Sequence, residues 1–386
     1  MKTNILKKFC TRDNISKYIR SYTIILATLI IWGVFQFLTK GTFLSIRNVS
    51  NLFRQMAVVG VLSIGMTVCL IAGNFDLSVG SVTGFLGAVS AYLITNMGLS
   101  PIISVIVAVI VGMVIGFWNG FWIAYQKVPA FIVTLGSSLI FKGGIFIITQ
   151  GTTIPVREDF YLALGQKYIS IPFGYFCVVA GVVLYIIQDL KKRKDMEEVL
   201  GQSTPIIHHI LKYCLVGMVS FGFVLVMNLY EGIPIAVFIM FILLIILSFM
   251  LSKTSFGKRV YAVGGNSRAS MMSGINNARI SMITFVIMGG IAGLAGVLQT
   301  ARLAAATPGA ASGMELDAIA SSVIGGVSLA GGSGKVYYAI VGGLVMASLS
   351  NGMSLLNVNS DVQYIVKGLI LIIAVWFDVR IRNYEK

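Results

Sequence analysis

The chain has 386 residues, of which 57% are hydrophobic and only 11% charged, whereas a soluble domain carries about 25% charged residues. That balance excludes a soluble globular protein and predicts an all-α, polytopic transmembrane bundle. The net charge of +15 would suggest nucleic acid in a soluble protein. Here the excess of basic residues in cytoplasmic loops accounts for it, and no nucleic-acid partner is expected.

A membrane span needs about 20 mostly apolar residues, and about twelve segments qualify by that length criterion. They run 21–39, 57–73, 79–95, 102–123, 130–149, 172–188, 214–230, 233–251, 281–299, 316–332, 337–355 and 362–378. A basic segment, 1–20, precedes the first. No small-residue cleavage site follows its apolar run, so 21–39 reads as a span and not a removable signal. The third, fifth and tenth segments are rich in Gly and Ser, which fits broken or re-entrant helices. Between the sixth and seventh, 189–213 is a highly charged linker containing His208 and His209. A second polar loop, 252–280, follows the eighth span, and 379–386 forms a tail. The integral unit is therefore 21–378.

Counting Lys and Arg in the gaps tests the parity of the spans. With the N-terminus inside, the inside gaps hold 21 basic residues and the outside gaps 6, while Lys142 and Lys367 lie within spans. Both termini are therefore expected in the cytoplasm. Lys40, Arg47 and Arg54, all in the first outside gap, run against the trend.

Two stretches resemble each other. One runs from Phe75-Asp76-Leu77 through Asn119-Gly120 to Gly136. The other runs from Met314-Glu315-Leu316-Asp317 through Asn351-Gly352 to Gly368, and Asn119-Gly120 and Asn351-Gly352 sit at the same distance before those glycines. In each, an acid followed by Leu opens a span rich in small residues. The parity puts Asp76 inside and Glu315 outside, so the halves form an inverted repeat with a pathway at their interface. The small residues also permit close helix packing without any pathway.

Few residues could do chemistry. Cys10, Cys69, Cys177 and Cys214 are scattered without metal-ligand spacing, so no metal, cofactor or catalytic group is expected. Asp76, Glu315, Asp317 and Asp361 fall at predicted span ends, where a helix N-terminus stabilises a carboxylate; a substrate or proton role is the alternative. Asn119 and Asn351 are candidate pathway residues on spans four and eleven, beside spans three and ten, with interhelical hydrogen bonding equally able to explain them. Lys142 and Lys367 either snorkel or form interhelical ion pairs. The run Gly325 to Lys335 fails as a phosphate loop. Leu329 stands where its first Gly is required, and Val336 where Ser or Thr should bind magnesium. If ATP drives this protein, another chain hydrolyses it.

The stretch from Gly257 to Ile275 cannot sit in lipid. Gly264-Gly265 breaks the chain, Asn266 is a helix N-cap over Ala269 to Ser273, and Gly274 ends that helix. A short capped helix between two spans is a shape that can dock into a partner, although an ordinary loop would look the same.

At this point three ordered motifs resemble a known family. Phe75-Asp76-Leu77-Ser78-Val79-Gly80-Ser81 is the first. Tyr261-Ala262-Val263-Gly264-Gly265-Asn266 with Ser273-Gly274-Ile275 is the second. The third is Glu315-Leu316-Asp317-Ala318-Ile319-Ala320 with Ile324-Gly325-Gly326-Val327-Ser328-Leu329-Ala330-Gly331-Gly332. Together they are similar to the ribose, xylose and galactoside permeases of bacterial ATP-binding-cassette importers. The resemblance implies a homodimeric permease in the bacterial plasma membrane, embedded in lipid. It also implies an extracytoplasmic sugar-binding protein and a cytoplasmic ATPase with tandem cassettes. The second motif then matches the family's coupling helix, with Gly264, Gly265, Asn266, Ala269 and Gly274 as contact candidates. Extra material at about 174–232 is similar to the xylose type and favours a pentose or related aldose. An ion-coupled secondary transporter with inverted repeats is the rival reading, and it would require a buried carboxylate such as Asp76 or Glu315.

Overall fold

The computed structural model describes residues 12–200 and 206–385; Cys10 and the first eleven residues of the basic segment lie outside them. The helices, in chain order, are α1 (Arg12–Leu38), α2 (Ile46–Ile71), α3 (Val79–Thr95), α4 (Pro101–Ala124), α5 (Ala130–Thr149), α6 (Asp159–Gln166), α7 (Ile171–Leu200), α8 (Ile206–Asn228), α9 (Ile235–Lys253), α10 (Ser255–Gly265), α11 (Ser267–Met272), α12 (Asn277–Leu303), α13 (Met314–Ile324), α14 (Val336–Leu355) and α15 (Ser360–Glu385). Two short strands, β1 (Ile154–Pro155) and β2 (Ala305–Ala306), pair antiparallel. Among the described residues, eight helices are long and apolar enough to cross a membrane, and Ile24–Leu38 and Val79–Thr95 are shorter apolar helices.

Local chemistry sets many of the boundaries. Ser100 caps α4 by accepting from Ile103 N, with Pro101 in the first turn, where the missing N–H of proline costs nothing. Thr254 caps α10 in the same way, accepting from Gly257 N.

Several sequence expectations are corrected. The second span begins at Ile46, eleven residues early, so Arg47 and Arg54 are helical. Hydropathy missed this turn because its polar residues Asn48 and Ser50 are buried against protein. The tenth span is broken, as its Gly/Ser content predicts, but it is shorter than 316–332: α13 stops at Ile324, and the Gly-rich 325–335 continues without helix. The Gly/Ser-rich fifth span is a continuous helix. The charged linker is helical up to Leu200, as part of α7, and His209 lies in α8, not in a loop. His209 Nδ1 lies 2.6 Å from Asp189, which also accepts from Lys212 and Tyr213, so this cluster closes the α7–α8 hairpin.

The architecture is an inverted repeat. α2 and α12 form the buried centre, and α7 and α8 stand almost wholly exposed at the edge. Exchanging α2–α5 for α12–α15 reproduces the packing. α12 packs on α3 and α4 as α2 packs on α13 and α14, and α3 contacts α4 and α5 as α13 contacts α14 and α15. The α4–α12 contact is so close that a Cβ on Gly112 would overlap the carbonyl of Gly289, and one on Gly289 that of Gly112. In lipid, where apolar burial drives little association, such close approach is what holds helices together.

Candidate functional site

The first candidate site lies where the two repeats cross. The segment before α3 enters from one end of the bundle and the segment before α13 from the other. Position 80, near the start of α3, abuts Glu315 and Ala311, and Gly84 lies against Ala310. At 1.5 Å per residue, α3 runs on from here for about 22 Å and α13 for about 14 Å to opposite ends. The N-termini of α3 and the half-helix α13 thus meet inside the bundle, where partial positive charge favours acidic or polar groups.

Four of the five repeat-interface candidates have found partners inside the protein. Asp76 accepts from the Ser78 amide and hydroxyl, at 2.8 and 2.5 Å. Asn119 donates to the Ser78 hydroxyl at 3.1 Å and accepts from Ser137 at 2.6 Å. These bonds tie the segment before α3 to α4 and α5. In the other repeat, Lys367 donates to Asp317 at 2.8 Å, joining α13 to α15, while the second carboxylate oxygen of Asp317 is buried without a partner. Asn351 and Asn48 exchange hydrogen bonds at 2.9 and 3.2 Å. Asn119 and Asn351 are therefore interhelical links, and the structure does not bring them together. Glu315, half-buried, faces the start of α3.

The second candidate site is at the end of the bundle bearing α11. Asn266 Oδ1 accepts from Ala269 N at 2.9 Å, which caps the helix at Ser267, two residues earlier than its sequence suggests. At the other end Ile275 N donates to Ser270 O and Gly274 N to Met271 O, with Gly274 at φ +80°. This is the Schellman closure that a residue without Cβ adopts most readily. Ser270 is the buried anchor; its hydroxyl donates to Ser267 O and to Asn277 Oδ1, and Asn277 donates back to Ser267 O at 2.7 Å. Asn266, Arg268, Ala269, Met271 and Met272 stay exposed. The result is a rigid short helix with an open face.

Behind α11, three distant glycine segments meet backbone to backbone. Gly332 N donates to Ile71 O at 2.9 Å. A Cβ on Gly264 would lie 2.7 Å from Gly332 N, and one on Gly331 would lie 2.9 Å from the Cα of Gly73. Tyr261 donates to Gly334 O at 2.8 Å; burial pushes its phenol above the ordinary value. Beside this junction a cavity of about 300 Å³ opens, lined by Gly73, Asn74, Lys127, Gly264, Ser267, Asn277 and Ala330 among others. The second and third motifs that resembled a family meet here through Gly264 and Gly331-Gly332, and Gly73 and Asn74 lead into the first. Sequence reasoning named Gly264 and Gly265 here but missed Gly73 and the role of Gly331-Gly332; a recurrence of Gly after each apolar run was the available signal.

A short exposed helix leading from a glycine junction that touches both repeats is consistent with a membrane transport protein, and comparison with known proteins gives the family. The chain belongs to the family described as "Branched-chain amino acid transport system / permease component", which matches residues 48–375. It is 40% identical to the xylose transport system permease protein XylH of Haemophilus influenzae over 92% of this chain and 95% of that protein. The E. coli K12 XylH is also 40% identical, over 92% of this chain and 91% of its own length. The ribose import permease protein RbsC of Bacillus subtilis is 34% identical over 87% and 86%. No solved structure matches the chain. As a member of this family the chain is a multi-pass membrane transport permease, not an enzyme.

Proposed function

We propose that this chain is the membrane-spanning subunit of an ATP-driven monosaccharide importer, with xylose or a related aldose as cargo. The similarity to XylH along almost the whole chain, including the α7–α8 region, supports the sugar. The observation that carries the coupling role is α11, capped at both ends, open on one face and anchored to the glycine junction. In this reading α11 docks into a groove of a cytoplasmic ATPase with tandem cassettes through Asn266, Ala269 and Met272. Both termini lie on that side, at 1–20 and 379–386, with 189–213 and 252–280 as the cytoplasmic loops of the 21–378 membrane unit. Two copies, embedded in lipid, form the working permease, and a sugar-binding protein delivers cargo to the opposite end. Glu315 at the crossing of the repeats faces the passing sugar, while Asp76, Asn119, Asp317 and Asn351 hold the crossing together.

The test uses the docking helix. Asn266→Ala removes a cap worth about 0.5–2 kcal/mol and should weaken co-purification of the ATPase while the membrane unit keeps its thermal stability. Unchanged ATPase binding and sugar uptake would remove the coupling assignment. Glu315, unpaired with any neighbouring lysine at ion-pair distance among the described residues, is what favours the ion-coupled alternative. Uptake by this chain alone in ATP-free vesicles, abolished by Glu315→Gln, would establish that alternative instead.

A further inference from the structure

Of the two lysines that the sequence places within spans, Lys367 has Asp317, whereas Lys142 makes no ion pair among the described residues. Lys142 lies in α5, about 10 Å before the end of that helix at Thr149. It is exposed, and it interrupts an exposed apolar stripe formed by Leu135, Leu139 and Phe146. An ammonium on such a helix is costly against lipid and is normally met by water or an opposite charge.

Glu315 is that opposite charge, and α3 stands between the two. Ser138, one turn before Lys142, meets Ser81 of α3 hydroxyl to hydroxyl at 2.9 Å. A Cβ on Gly80, beside Ser81, would run into the Glu315 carboxylate. One turn on, a Cβ on Gly84 would lie 2.9 Å from Ile145 of α5 and 2.7 Å from Ala310 O. The Ser138–Ile145 stretch of α5 and the Ala310–Glu315 segment therefore flank the same turn of α3. Lys142 is near enough for its charge to act on Glu315, yet the two are beyond ion-pair distance. The other acid of that turn, Asp317, is engaged with Lys367.

Held near each other and short of contact, the two charges leave room for a third group that bonds to both. An anion would satisfy only the lysine and a cation only the glutamate. A hydroxyl both donates and accepts. Two neighbouring hydroxyls of a neutral sugar can accept from the ammonium and donate to the carboxylate, and the sugar can leave without carrying charge across the membrane. The serine hydroxyls beside the pair have the same double capacity.

We propose that Lys142 and Glu315, with Ser81 and Ser138 beside them, form a sugar-recognition subsite within the permease, which holds a pair of adjacent hydroxyls on the passing sugar. This rests on the importer reading and extends it: the permease itself, and not only its sugar-binding protein, selects the cargo.

The experiment uses the full importer, permease with its ATPase and sugar-binding protein, in proteoliposomes. ATP-driven xylose uptake by Lys142→Met and by Glu315→Gln should each fall about tenfold or more, the scale of one hydrogen bond to a charged group. Co-purification of the ATPase and the unfolding temperature should stay as in the wild type. The exchanged pair, Lys142→Glu with Glu315→Lys, should regain part of the rate. A second measurement follows Lys142→Cys in a chain with Cys10, Cys177 and Cys214 replaced by Ser, Cys69 being buried. This variant should react with a charged, membrane-impermeant methanethiosulfonate, and xylose delivered during turnover should slow the reaction. Wild-type uptake by both single variants, or labelling that xylose does not slow, overturns the subsite and leaves the importer reading standing. No labelling at all also overturns it, because Lys142 then lies against lipid and snorkels to the headgroups. So does a loss of uptake that tracks a loss of thermal stability. If the wild-type assembly takes up no sugar, or does so without ATP, the importer reading itself fails.

Discussion

The amide of Gly332 donates to the carbonyl of Ile71 at 2.9 Å, with Gly264 wedged against both. Ile71 ends the central helix of one repeat, Gly332 follows the half-helix of the other, and Gly264 leads into α11. The segment leading into α11 therefore touches both repeats through backbone contacts, with no side chain between.

Filling that junction should disconnect the motor from the path. Gly264→Val places carbon on top of Ile71 O, where backbone cannot yield cheaply. Overpacking of this kind typically costs about 1–3 kcal/mol. The expected outcome is a permease that inserts and still binds its ATPase, but whose sugar uptake is largely lost. Gly265→Ala, where the nearest atom to a new Cβ is at 3.8 Å, should retain uptake.

The Asp317–Lys367 pair should behave as a buried ion pair. Side-chain exposure is 7% and 16%, so either charge alone would be stranded. Lys367→Met should lower stability by about 3–5 kcal/mol, read as a fall in the unfolding temperature in detergent. Combining it with Asp317→Asn should recover much of that loss. A double variant as unstable as the sum of the two single ones would show that the residues do not act as a pair.

Glycines that the sequence presents alike should differ sharply. Gly112→Leu meets the Gly289 backbone, whereas a Cβ on Gly136 has nothing within 4 Å. Thermal unfolding should show Gly112→Leu severely destabilised and Gly136→Leu close to wild type.

That contrast marks how far the sequence could be read. Gly136 and Gly368 revealed the repeat by their spacing, yet both face open space and pack nothing. Asn119 and Asn351 matched by position, yet one links α4 to Ser78 and Ser137 and the other links α14 to Asn48. Equal spacing reports common architecture; the partners of each residue were never encoded in the spacing.

Alone, the sequence determined that the chain is a helical membrane protein, where most of its apolar segments lie, that Asn266 and Gly274 close the two ends of α11, and which family the motifs resemble. These follow from local properties: apolar length, charge bias and capping chemistry act within a few turns of chain. Only the tertiary structure decided that α13 stops at Ile324 and meets α3 inside the bundle, that Lys367 pairs with Asp317, and that Gly73, Gly264 and Gly332 form one junction. Each depends on which surfaces meet once the repeats interlock, and contacts between residues up to hundreds of positions apart leave no periodicity along the chain from which to read them.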